Sequence, residues 1–121
     1  MEENETPKES AVREITEETA ILPEHLHFIQ NGEPPRQLDQ RAEILAMPHF
    51  LLSEEIEEGH YHLDWIFYAI VDPKNFDHSA RKTEFRWFSV EDLRETENIF
   101  TNVRELALKG LEFYATDNIN E

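Results

Sequence analysis

The stretch ETPKESAVREITEETAI (residues 5–21) constrains this chain most, because it specifies both ends of one helix and the character of its faces. Thr6 is a helix-capping residue, Pro7 suits a first helical position, and Glu9 stands where a capping box needs its acid. Pro23 prevents continuation, so the pattern predicts a helix over Pro7–Thr19. Residues three and four apart share a helical face, which groups Ala11, Val12, Ile15 and Thr19 on one side and Glu14, Glu17 and Glu18 on another. Three carboxylates on one patch repel one another unless a cation lies among them. Hard oxygen donors of this kind select Mg²⁺, with Mn²⁺ as the alternative, and such ions also bind pyrophosphate oxygens. A solvated acidic helix face is the plain alternative.

Charge narrows the function classes further. The 121 residues hold 11 Lys+Arg against 27 Asp+Glu, a formal net charge of −16. That surplus repels bare nucleic acid and anionic membrane, so neither is an expected partner. A phosphate-bearing substrate meets the same repulsion unless divalent cations neutralise both sides, which again favours a metal-dependent reaction. There is no cysteine, so disulfides and thiolate metal sites are excluded, in keeping with a reducing cytoplasm. No apolar run approaches the roughly 20 residues that cross a bilayer. At 39% apolar residues and 11% aromatics, one compact domain over residues 1–121 is expected.

Beyond the helix the pattern turns to short extended segments. Residues 25–30 (HLHFIQ), 42–47 and 49–56 read as strands, with Asn31-Gly32 and Pro34-Pro35 as turn signals between the first two. Residues 60–71 (HYHLDWIFYAIV) are the strongest strand, aromatic and β-branched on both faces, and so expected at the centre of a sheet and covered on both sides. Residues 85–89 (FRWFS) return as a strand and lead into a short helix over 91–94. An amphipathic helix over about residues 100–114 carries Val103, Leu106, Ala107, Leu111 and Tyr114 as one stripe docked on the sheet, and the tail from Asp117 is expected to fray.

The stretch over residues 5–21 resembles the Nudix box: a glycine, five residues, Glu, seven residues, Arg-Glu, an aliphatic, any residue, Glu-Glu, any residue, a glycine and an aliphatic. Glu5, Arg13, Glu14, Ile15, Glu17, Glu18 and Ile21 fall at the box spacings, and Ala20 stands at the second glycine. Chance would produce such a match at below roughly one in a thousand in a chain this rich in Glu. EFRWFSVEDL (residues 84–93) is similar to the late strand and short helix of the same family.

The resemblance implies an α/β fold, a Nudix-type α/β/α sandwich with a mixed sheet. It implies a partial domain that begins inside the box loop and lacks the N-terminal strands, whose open sheet edges would invite a homodimer and whose turnover would be weak. It implies a Mg²⁺-dependent pyrophosphohydrolase acting on a nucleoside diphosphate linked to another moiety. Glu17 and Glu18 would be principal metal ligands, and Glu14 a further ligand or the group that deprotonates the attacking water. Arg13 would be structural, held by Glu5. Glu84, just before the late strand, is a candidate for a further metal or base role.

His62, Asp64 and Tyr68 share one face of the residue 60–71 strand and are candidates to line a substrate pocket, with Trp65, Tyr68 or Phe85 available to stack on a base. His60 and His62 also lie on one strand face, which permits a shared metal site. No third ligand is identifiable from the spacing, and substrate contact or packing is the favoured role for these histidines. The rival to hydrolysis is a non-catalytic Nudix-like binding module. A third class, an acidic protein whose helix docks a basic partner, predicts no Mg²⁺ binding.

Overall fold

The computed structural model describes residues 4–76 and 87–119, with side chains as far as Thr116. The chain divides into two compact units, Met1–Lys82 and Thr83–Glu121, each with its own internal contacts. Glu84 and the first two residues of the expected late strand, 85 and 86, lie outside the described residues. Residues 87–89 are not in a strand.

In the first unit, helix α1 spans Pro7–Thr19. Thr6, in extended conformation, accepts from the Glu9 backbone N–H at 3.2 Å, and Glu9 accepts from the Thr6 N–H at 3.1 Å. This capping box satisfies two of the amide groups that a helix start leaves without helical partners. At the far end Ala20 turns left-handed (φ 63°) and donates its N–H to the Thr16 carbonyl at 2.9 Å. Thr16 Oγ1 donates to the Ile21 carbonyl at 2.8 Å, and the Ile21 N–H donates to Thr19 Oγ1 at 3.2 Å, so the chain leaving the helix is pinned by its last turn. Ile21, 4% exposed, is driven inward at that point.

The strands form three antiparallel ladders. β1 (His27–Phe28) pairs with β6 (Ala69–Ile70), β2 (Arg36–Gln37) with β3 (Glu43–Ile44), and β4 (Phe50–Glu57) with β5 (His60–Ile66). All pairings among the described residues are antiparallel. Two expected strands are shorter than their hydrophobic runs. Pro23 starts a 3₁₀ turn over Pro23–His25, which delays β1 to His27. The run over residues 42–47 keeps only β3 in register with β2, where Asp39 Oδ1 accepts from the Arg41 and Ala42 amides at 2.8 and 2.9 Å and closes the turn.

The segment over residues 60–71 departs most from expectation. It is not one central strand but two pieces that change partner: β5 runs along β4 to Ile66, Phe67 and Tyr68 leave the ladder, and β6 pairs with β1. Nor is it covered on both sides. Tyr61, Leu63 and Trp65 stand opposite Glu55, Ser53 and Leu51, and this face is open, with Leu63 64% and Trp65 44% exposed. The large apolar side chains that read as doubly buried thus belong to a hairpin whose second edge pairs with no strand among the described residues.

Where the chain crosses between ladders the packing is aromatic. Phe28 meets Phe67 edge-on at 6.2 Å between ring centroids, and Tyr68 meets His49 at 5.2 Å and Phe50 at 6.5 Å, both edge-on. Such arrangements set the positive ring edge against the negative ring face. Lys8 Nζ lies 4.8 Å above the Phe28 ring and ties α1 to β1.

The second unit is a helical pair. Ser89 caps α2 (Val90–Glu95) in a second capping box, exchanging hydrogen bonds with Asp92 at 3.0 and 3.1 Å. α3 runs over Thr101–Ile119, past the point at which its tail is expected to fray, since adding residues to a formed helix costs little beside starting one. Leu93, buried, faces Ile99, Val103 and Leu111 across an apolar cleft of about 290 Å³. The Arg104 guanidinium donates to the Thr96 carbonyl and closes the bend between the two helices. No described helix is long and apolar enough to cross a membrane.

Candidate active site

The outer surface of α1 carries the charges that the sequence singles out. Arg13 is the organising cation. Its Nε donates to Glu5 Oε2 at 2.8 Å and its Nη2 to Glu5 Oε1 at 3.3 Å, so guanidinium and carboxylate meet through two bonds. This joins the segment before the helix to the helix itself, because Glu5 precedes the cap and Arg13 lies two turns on. The same guanidinium donates from Nη1 to both Glu17 oxygens, at 3.1 and 3.2 Å, one turn further along.

Glu14 takes a different direction. It accepts from Ser10 Oγ at 3.5 Å and lies 3.9 Å from Arg13 Nη2, with its side chain more than half exposed. Ser10 itself is buried, which fixes the donor end of that contact. Glu14 and Ser10 line a cleft of about 170 Å³ whose other wall is β5: Leu63, Asp64 and Trp65. Two elements distant in sequence thus bring a helix carboxylate, a strand carboxylate and an open indole ring to one place. On the other flank of α1 a larger cleft of about 770 Å³ runs along Lys8, Val12 and Arg13, with Glu43 and Leu45 opposite.

The expected convergence of Glu14, Glu17 and Glu18 is present on the helix surface but does not extend to the carboxylate oxygens. Among the described residues no three His, Asp or Glu side chains gather closely enough to share one metal ion. The physical reason is Arg13, which draws Glu17 toward Glu5, whereas Glu14 turns to Ser10 and the β5 cleft. In kind the donors fit a hard divalent ion: three exposed carboxylates at i, i+3 and i+4, with no thiol or imidazole among them.

The remaining candidates divide. Asp64 joins Glu14 at the cleft. His62 is exposed and its ring lies 5.3 Å from that of His60. Tyr68 is packed against His49 and Phe50 instead of lining the cleft, and burial raises its hydroxyl above the ordinary phenol pKa. Burial likewise lowers the imidazole of His49. Two contributors went unforeseen in the sequence: Ser10, and Leu63 as a cleft residue beside Trp65, a candidate for base stacking. The break in strand alternation at Phe67 becomes visible only once β6 is known to pair elsewhere.

The family model of the NUDIX domain matches residues 1–107. The chain belongs to the NUDIX domain family. It is classed accordingly as a Nudix hydrolase, with the α/β fold of that family. A crystal structure of a NUDIX-family hydrolase from Clostridium perfringens superposes with a TM-score of 0.71 at 22% sequence identity, covering 94% of this chain and 77% of that one. No curated protein sequence matches the chain significantly. Within the Nudix frame, Ala20 occupies the second box glycine, and its left-handed backbone shows why that position favours glycine.

Proposed function

We propose that this Nudix chain is a Mg²⁺-dependent pyrophosphohydrolase, with Mn²⁺ as an alternative ion, that cleaves the diphosphate linkage of a nucleoside diphosphate joined to another moiety. The observation that carries this reading is the cleft in which Glu14 of the box helix faces Asp64 and Trp65 of β5. It offers carboxylates for chemistry and an aromatic face for a base in the same space. The acidic surface favours a substrate that arrives with its phosphates neutralised by a cation. The cytoplasm is the compartment that fits a cysteine-free chain of this kind.

Glu14, Glu17 and Glu18 would hold the ion, with Glu84 as a further carboxylate from outside the described residues. When bound, the ion would polarise the diphosphate and lower the pKa of an attacking water. Glu14, turned toward the cleft and only distantly paired with Arg13 at 3.9 Å, is the side chain placed to accept the proton of that water. Arg13 orients the site by holding Glu5 and Glu17. Trp65, nearly half exposed, would position the substrate by stacking, and Asp64 would accept hydrogen bonds from its sugar hydroxyls.

A second reading, a Nudix-like binding module without turnover, is favoured by one observation: Glu17 is engaged by Arg13, and the three carboxylates do not close on a common point. A screen of nucleotide sugars, dinucleoside polyphosphates, ADP-ribose and nucleoside triphosphates with Mg²⁺ separates the two. Hydrolysis of one class in water enriched in ¹⁸O, with label in one product phosphate, supports the hydrolase. Saturable binding of a nucleotide with no product supports the module.

A further inference from the structure

We propose that His60 and His62, at the turn end of the β4–β5 hairpin, form an exposed two-imidazole chelate for a borderline divalent transition ion such as Cu²⁺, Ni²⁺ or Zn²⁺, separate from the carboxylates of α1. Alternate residues of a strand project to one side, so the two rings share a face without Tyr61 between them. Their centroids lie 5.3 Å apart and the ring planes are inclined at 68°. Two imidazoles bound to one tetrahedral ion through nitrogens at about 2.0–2.1 Å hold their ring centroids roughly 5 Å apart, so the pair already stands at chelating separation.

Both rings are open to solvent, and neither has to leave a buried environment to bind. The surroundings attract a dication. The hairpin carries Glu54, Glu55, Glu57, Glu58 and Asp64 and no Lys or Arg from Phe50 to Ile66, with Glu54 opposite His62 and Glu57 opposite His60 in the ladder. With no group of three such donors gathered among the described residues, water completes the coordination shell. Imidazole nitrogen selects the borderline transition ions over Mg²⁺, whereas the α1 carboxylates have the opposite preference, so the two sites divide the available metals by ligand softness.

The test uses the full chain saturated with Mg²⁺ to occupy oxygen sites, then titrated with Cu²⁺ and followed by electron paramagnetic resonance, in which bound nitrogen splits the copper signal. The expected result is nitrogen coordination, with an affinity that falls at least about tenfold in His60→Gln and in His62→Gln, since losing a ligand costs no less than losing a supporting contact. His27→Gln, at an exposed histidine on β1, should leave the affinity unchanged. Circular dichroism confirms that each variant is folded. Oxygen-only coordination, or an affinity untouched by either His60→Gln or His62→Gln, overturns the site.

Discussion

Ala20 shows how much one backbone angle decides. It holds φ 63° at the end of α1, a conformation that costs an L-residue roughly 1–2 kcal/mol and glycine almost nothing. Ala20→Gly is therefore expected to stabilise the chain by about 1 kcal/mol in urea unfolding, in spite of glycine's poor helix propensity, because residue 20 keeps its N–H bond to Thr16 but has left-handed instead of helical backbone angles. A destabilised variant would mean that the left-handed turn is not what terminates the helix. At His49 the sign runs through burial. The folded chain protonates this imidazole below the ordinary value of 6.5, so the unfolded chain binds more protons as pH drops past that value. The stability it contributes is complete above about pH 6.5 and is lost as pH falls toward the folded value. Unfolding free energies at about pH 7.5 and pH 5.5 should differ less in His49→Gln than in the parent chain, and an equal difference would contradict the burial argument.

At the scale of the element, what was legible in the sequence is what is local. Thr6, Glu9 and Pro7 state the start of α1 within a few residues of one another, and the structure reproduces it; the short helix expected over 91–94 is present as α2, with Ser89 and Asp92 closing a capping box at its start. Thr6→Ala removes the acceptor for the Glu9 amide and should cost about 1 kcal/mol, read as a lower urea midpoint at unchanged slope. A variant as stable as the parent would show that the cap is redundant with Glu9. The strands were less legible because a strand's partner is chosen elsewhere in the chain. Residues 60–71 have one continuous apolar pattern, yet Phe67 and Tyr68 step out of the ladder and Ala69–Ile70 pairs with β1. Hydrophobicity alone does not separate a covered central strand from a hairpin with an open apolar face, so the strand read as covered on both sides when Leu63 and Trp65 are exposed on it.

At the scale of the whole molecule, the Nudix assignment was legible because the box is a spacing, and spacing survives in a bare sequence. The side-chain directions within it were not. A helical wheel places Glu14, Glu17 and Glu18 together, but the Arg13 guanidinium competes for Glu17 and Ser10 turns Glu14 toward β5. The Arg13–Glu5 pairing is expected from the resemblance to the box, and it is present as a two-bond contact across the helix cap. Metal binding has to overcome the Arg13–Glu17 contact, an exposed pair worth little beside coordination by a divalent ion. The box carboxylates are proposed to support Mg²⁺-dependent cleavage of a diphosphate. This role is tested most directly by measuring turnover of the best nucleoside diphosphate derivative for the parent chain, Glu17→Gln and Glu18→Gln across a Mg²⁺ titration. Mg²⁺-dependent hydrolysis is expected in the parent, with a loss of at least about a hundredfold in kcat in each variant, the scale on which one electrostatic contact to a reacting centre counts. Turnover that needs no divalent ion, or that persists undiminished in Glu17→Gln and Glu18→Gln, would contradict it.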